Sequence, residues 1–128
     1  MRIFKSKIFH EWATDERLDD DALETAVEEM EQGLINANLG GHVYKKRVPI
    51  RGRGKSGGLR TLIAYKQGNK AFFVYGFSKN QRANISAKEL KALKLFAGEL
   101  FGYSSAGLKK ALQAGELIEV VSNEKIDT

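Results

Sequence analysis

Residues 59–77, LRTLIAYKQGNKAFFVYGF, decide the fold. Two apolar runs, residues 59–65 and 71–77, flank the polar turn QGN at 67–69, a Gly-Asn signal for chain reversal. Both runs are rich in β-branched or aromatic residues, so they read as central strands of an antiparallel hairpin. Alternation along the first puts Arg60 on the face of Leu62 and Ala64, opposite Leu59, Thr61 and Ile63. The same rule applied to the second puts Phe73, Tyr75 and Phe77 on one face and Phe72, Val74 and Gly76 on the other.

Outward from the hairpin, the glycine-rich segment PIRGRGKSGG (49–58) precedes it. Before that, HVYKKRV (42–48) alternates imperfectly, with Val43, Lys45 and Arg47 on one face and Tyr44, Lys46 and Val48 on the other. MRIFK (1–5) reads as a short strand, and Ile8, Phe9 and Trp12 have the spacing of a short helix over 6–13. Asp19, Asp20 and Asp21 open a second helix, where carboxylates suit the free amides and the dipole. Its apolar positions are Ala22, Leu23, Ala26, Val27, Met30 and Leu34, and Gly33 with NANLGG (36–41) ends it. Ser86 and Glu89 have capping-box spacing at the start of a third helix, which Gly102 stops. Residues 104–114 predict one more short helix and 117–121 a terminal strand. Strands gathered in the middle and helices at the ends predict an α+β fold. The expected architecture is a small antiparallel sheet of three to five strands, with the N-terminal helices packed on it and one or two C-terminal helices. The expected domain spans 1–121, with a loose tail at 122–128. No internal repeat or linker interrupts it.

The chain has 128 residues, enough for one ordinary domain, and no cysteine, which excludes disulfides and thiolate metal sites. His10 and His42 lie far apart and do not complete an ordinary zinc site, so neither a metal nor a cofactor is expected. No window has the apolar length of a membrane span, and the N-terminal run lacks the apolar stretch of a signal peptide. A soluble, cytoplasmic protein with no membrane partner is the expectation. The net charge of +5 hides a strong asymmetry. Residues 1–31 hold four Lys or Arg against ten Asp or Glu; residues 32–88 hold twelve Lys or Arg and no acid; residues 89–128 hold five bases and six acids. Unopposed positive charge attracts polyanions and releases counterions when they bind. The plain alternative is a solvated basic face.

Gly-Lys-Ser at 54–56 is not a P-loop, because Pro49 stands where that motif needs glycine and a strand follows where it needs a helix. The segment reads instead as a loop presenting Arg51, Arg53 and Lys55 to a phosphodiester backbone, guanidinium forks matching phosphate oxygens. Arg60, inside an apolar strand, needs a partner for its charge: a remote glutamate or a phosphate. The aromatic strand runs into SKNQRAN (78–84), and basic groups beside stackable rings suit single-stranded RNA. Lys45, Lys46, Arg47, Phe77 and Asn80 complete the expected RNA-binding set.

RGKSGGLRTLIAY followed by FFVYGFSKN resembles the signature of RelE/HigB-type toxins of the RelE/ParE superfamily. MRIFKSK and ANISAKEL fit the same order, over about residues 1–120. The resemblance implies a type II toxin that cuts messenger RNA on the ribosome and inhibits translation. It also implies a cognate antitoxin, commonly of helix-turn-helix type, through which alone operator DNA would be reached. Carried over by position, Lys55 matches the family's loop lysine, Arg60 its strand arginine and Lys79 the lysine after the last strand. Asn80 stands where several relatives have arginine, Ser86 lies near a tyrosine of others, and Phe77 replaces a tyrosine, with Tyr75 the nearest phenol. Attack of the ribose 2′-OH on the adjacent phosphate needs a base, a charge stabiliser and an acid. Lys55 or Lys79 is the candidate base; Arg60 and Arg82 are the candidate phosphate ligands; Tyr75 would stack or pass a proton. Two other readings stay open: a ParE-like toxin that poisons DNA gyrase without cutting RNA, and a non-catalytic nucleic-acid-binding module.

Overall fold

The computed structural model describes residues 1–49 and 58–121. In chain order they form β1 (Arg2–Ser6), α1 (Lys7–Asp15), α2 (Asp20–Glu31), β2 (Ala37–Asn38), β3 (Val43–Val48), β4 (Leu59–Tyr65), β5 (Lys70–Ser78), α3 (Ala87–Phe101), α4 (Ser105–Gln113) and β6 (Leu117–Glu119). The six strands make one sheet in the order β2-β3-β4-β5-β1-β6. The fold is α+β, as the element order predicts, with the antiparallel meander β3-β4-β5 at its centre. It is nonetheless larger than expected, and mixed. β1 runs parallel to β5, and β6 closes antiparallel on β1. Ile3 and Phe4 explain the interior place of β1: they point to opposite faces and both are buried, which an edge strand does not provide. β2 and β6 have two and three residues, too few for a periodic signal, and they blunt the two sheet edges.

Helices cover both faces. Beneath α1 and α2, Phe9, Leu23, Val27 and Met30 pack on Ile3, Leu59, Ile63 and Phe73. Beneath α3 and α4, Ala97, Leu100 and Leu108 pack on Phe4, Leu62, Ala64 and Phe72. The helix starts are the ones the side chains dictate. Ser6, Asp19, Ser86 and Ser104 each accept a first-turn amide, and Ser86 with Glu89 forms the full reciprocal box. Leu34 departs from its helical reading. The helix ends at Glu31, Gly33 takes a left-handed φ of 89°, and Leu34 beyond it is 56% exposed.

Residues 104–121 belong to the fold. Leu108 and Leu117 enter one core and Val120 the other. Asp20 at the start of α2 accepts both the buried Lys5 ammonium (2.8 Å) and the amide of Val121 (3.2 Å), tying β1, α2 and the chain end together. Arg2 adds an exposed pair with Glu119. Among the described residues no helix is long and apolar enough to cross a membrane.

One local feature overturns the expected alternation of β5. Its pairing with β4 shifts register between Leu62 and Ile63: Tyr75 faces Leu62, yet Phe73 faces Ile63. The intervening Val74 is a bulge residue, which lets neighbouring side chains share a face. Phe73 therefore joins the α1/α2 core, whereas Val74 and Tyr75 lie on the α3 side with Phe72. Gly76 falls on the α1 side, where the Trp12 indole occupies the space of its missing side chain.

Candidate functional site

The α3 side of the meander carries exposed Arg47 and half-buried Lys45 and Arg60. Lys45, Leu62 and Tyr75 form one cross-strand row, and Arg47, Arg60 and Phe77 the next. Arg47 and Arg60 thus sit directly opposite each other in register, an arrangement that like charges disfavour. Among the described residues neither arginine, nor Lys45, nor Lys79, is in an ion pair, although Arg47 lines a surface pocket with Asp19, Asp21 and Glu29. Of the two partners that the sequence left open for Arg60, the glutamate is therefore absent from the described residues. A guanidinium has five N–H donors, and the bond from Arg60 Nη1 to the Gly58 carbonyl (3.2 Å) uses one of them.

Arg82 is placed differently. Its Nη1 and Nη2 grip the Glu89 carboxylate in a two-pronged bond of 2.9 and 2.6 Å, Nε donates to the Asn84 carbonyl (2.9 Å), and Nη1 also reaches the Tyr75 hydroxyl (3.3 Å). Four of its five donors are thereby engaged. The fork holds the Glu89 carboxyl down at about 2 and pushes the Arg82 guanidinium above its usual range. The sequence expects Arg82 beside Arg60 as a phosphate ligand; in the structure one of its donors is left, and Nη1 reaches the Tyr75 hydroxyl. Glu89 was read from the sequence only as a helix cap. The signal that could have found its second role is that it is the first acid after the long acid-free stretch, seven residues beyond Arg82.

Two members of the expected RNA-binding set are buried. Lys46 projects to the α2 side, is 7% exposed, and bonds Glu29 (2.8 Å) and the Leu34 carbonyl (3.0 Å). A buried ammonium needs such partners, and these remove it from the basic face. Phe77 is 2% exposed and packs beside Tyr75 with ring centroids 6.3 Å apart. It supports that ring and offers no open platform of its own. Lys79 and Asn80 are exposed in the tight turn after β5, where the Gln81 amide returns to the Ser78 carbonyl. Lys66 and Lys70 flank the turn at the opposite end of the hairpin. The described cations therefore do not all share one place: Lys45, Arg47 and Arg60 lie in adjacent rows on the α3 side and Arg82 reaches Tyr75 there, while Lys46 faces α2 and Lys66 and Lys70 lie at the other end of the hairpin. Arg51, Arg53 and Lys55, like the tail at 122–128, lie outside the described residues.

The arrangement has distinct chemical capacities. Arg60 offers a fork without a carboxylate, and Tyr75 a half-buried phenol whose oxygen already accepts from Arg82, so its own hydrogen is free to donate. Among the described residues no group of three or more His, Cys, Asp or Glu side chains is placed to hold a metal ion. A family model described as the RelE toxin of the RelE/RelB toxin–antitoxin system matches residues 1–120. No curated protein matches the chain.

Proposed function

The chain belongs to the RelE toxin family and is thus a toxin of a toxin–antitoxin system, with an antitoxin as its partner; from that premise we propose that it cuts messenger RNA on the ribosome and so inhibits translation. The observation that carries this reading is Arg60. It faces Arg47 across the strand pair, neither arginine is in an ion pair among the described residues, and it lies one row from a phenol held by Arg82. A phosphodiester relieves the like-charge pair and accepts the unused guanidinium donors, which is what transition-state charge on a phosphate requires.

In the proposed reaction a base takes the 2′-hydroxyl proton and O2′ bonds to the adjacent phosphorus. The P–O5′ bond then breaks, and an acid protonates the departing oxygen, leaving a 2′,3′-cyclic phosphate and a 5′-hydroxyl. Arg60 stabilises the phosphorane. Tyr75 donates a proton or a hydrogen bond. Lys79 or Lys55 removes the first proton, and Lys45, Arg47, Arg51, Arg53 and Asn80 hold the strand. Ribosomal positioning supplies much of the rate, since orientation effects are large. The reaction as written uses no metal and takes place in the cytoplasm. The antitoxin, of helix-turn-helix type, silences the toxin by covering the basic face with acidic groups, so its affinity falls with ionic strength.

The test is single-turnover cleavage of ribosome-bound message by the native chain and by a folded Arg60→Ala/Lys79→Ala variant. The expected result is product with cyclic-phosphate ends from the first and none from the second. Equal cutting by both refutes the site. Inhibition of gyrase supercoiling without any RNA product would replace the nuclease reading altogether.

A further inference from the structure

The geometry points to Glu89 as a positioning residue for cleavage: acting through Arg82, it holds the Tyr75 phenol so that the hydroxyl hydrogen is left for the substrate. This inference rests on the nuclease reading above and adds to it a residue that never touches RNA. Glu89 is well anchored to do so. It lies in the first turn of α3, its amide donates to the Ser86 hydroxyl (3.1 Å), and its Oε1 accepts the Ser86 amide (2.9 Å). Further along, α3 is fixed in the core by Ala97 and Leu100. A rigid route therefore leads from the core through α3 to the carboxylate, from there to the guanidinium plane, and on to the phenol.

Each link restricts the next. A two-pronged carboxylate–guanidinium bond sets the plane of Arg82 as well as its position. The Asn84 carbonyl on Nε blocks rotation about that plane, so Nη1 points at Tyr75 Oη. The phenol oxygen is then an acceptor from Arg82, and its single hydrogen must bond elsewhere. Phe77 beside the ring and Leu62 across from it limit where the ring can swing. Glu89 is itself a poor candidate for the base, because its oxygens are taken and its carboxyl titrates at about 2, far below neutrality.

The test is a double-mutant cycle in the ribosome cleavage assay, using Glu89→Gln and Tyr75→Phe in the full chain. Gln keeps an oxygen for the Ser86 amide but loses the charged fork. Glu89→Gln is expected to slow single-turnover cleavage at least tenfold in the native background, with ribosome affinity unchanged. In the Tyr75→Phe background it should slow cleavage less than twofold further, since no phenol remains to be placed. Equal slowing in both backgrounds, or none in the native one, overturns the inference. Carbon-13 relaxation of the Tyr75 ring in the free protein provides a readout independent of activity. Ring order should fall in Glu89→Gln; unchanged order overturns the positioning role. If the native chain cuts no RNA, the nuclease reading fails alone, and ring order still decides whether Glu89 holds the phenol.

Discussion

Replacing Gly76 by alanine should destabilise the protein by about 2–4 kcal/mol, because the new methyl group would enter the space of the Trp12 indole. An ideal Cβ at residue 76 would lie 2.1, 2.3 and 2.6 Å from three ring carbons of Trp12. Ordinary carbon contacts are ~3.5–4.0 Å, so the ring has to retreat by more than about 1 Å. Phe9 lies close to it, with ring centroids 5.4 Å apart, and is itself fully buried against Phe73. Overpacking of this kind costs about 1–3 kcal/mol, and complete expulsion of a tryptophan approaches the ~3–5 kcal/mol of its deletion. The entropy that alanine removes from the unfolded chain offsets only ~0.4–1 kcal/mol. A domain of this size has roughly 5–15 kcal/mol in total, and the melting temperature should fall by roughly 8–16 °C. Urea unfolding followed by circular dichroism measures the loss, and fluorescence reports the ring directly, since Trp12 is the single tryptophan. Trp12→Leu in the Gly76→Ala background should recover part of the loss. Unfolding within about 0.5 kcal/mol of the native chain, with unchanged fluorescence, would refute the reasoning. The site would suffer as well, since Tyr75 and Phe77 flank Gly76 on the same strand.

Arg60→Ala should lower the cleavage rate constant about 10²–10³-fold while leaving the thermal midpoint nearly unchanged, as loss of a phosphate-stabilising donor does; a rate within threefold of native would remove Arg60 from the mechanism. Lys45→Ala and Arg47→Ala should each weaken RNA binding and reduce its salt dependence by about one counterion, whereas Lys46→Met should lower stability and leave the salt slope alone. Filter binding at several salt concentrations separates the two patterns. The Glu89 carboxyl is held at about 2 against an ordinary 4.5, so its contribution to stability is complete above about 4.5 and disappears as the pH falls towards 2. The stability gap between the native chain and Glu89→Gln should accordingly close over that interval in acid-unfolding curves; a gap that widens there contradicts the pairing.

Much of the fold was legible in local pattern. The hairpin at 59–77, the faces of β3, the four helices and the Ser86–Glu89 box all follow from period, turn chemistry and caps, which act within a few residues. The position of Arg60 among Leu62 and Ala64 followed from alternation, and its lack of a local carboxylate from the acid-free run at 32–88. Three things were not legible. The bulge at Val74 moves Phe73 to one face and Tyr75 to the other, a one-residue change that alternation does not encode because every residue involved is apolar or aromatic. The parallel seat of β1 beside β5 joins segments some seventy residues apart. The division of the cations depends on which acids fold back to meet them.

Taken alone, the sequence determined the fold class, the strands of the meander and a central block of positive charge without a single acid, since these depend on neighbours along the chain. Only the tertiary structure decided which charges are available. It brought Glu29 from α2 onto Lys46 and Glu89 from α3 onto Arg82, and it left Arg60 and Arg47 facing each other with neither in an ion pair among the described residues. The physical reason is range. A charge is neutralised by whatever lies within about 4 Å in space, and that distance is set by packing of the helices on the sheet rather than by order in the chain.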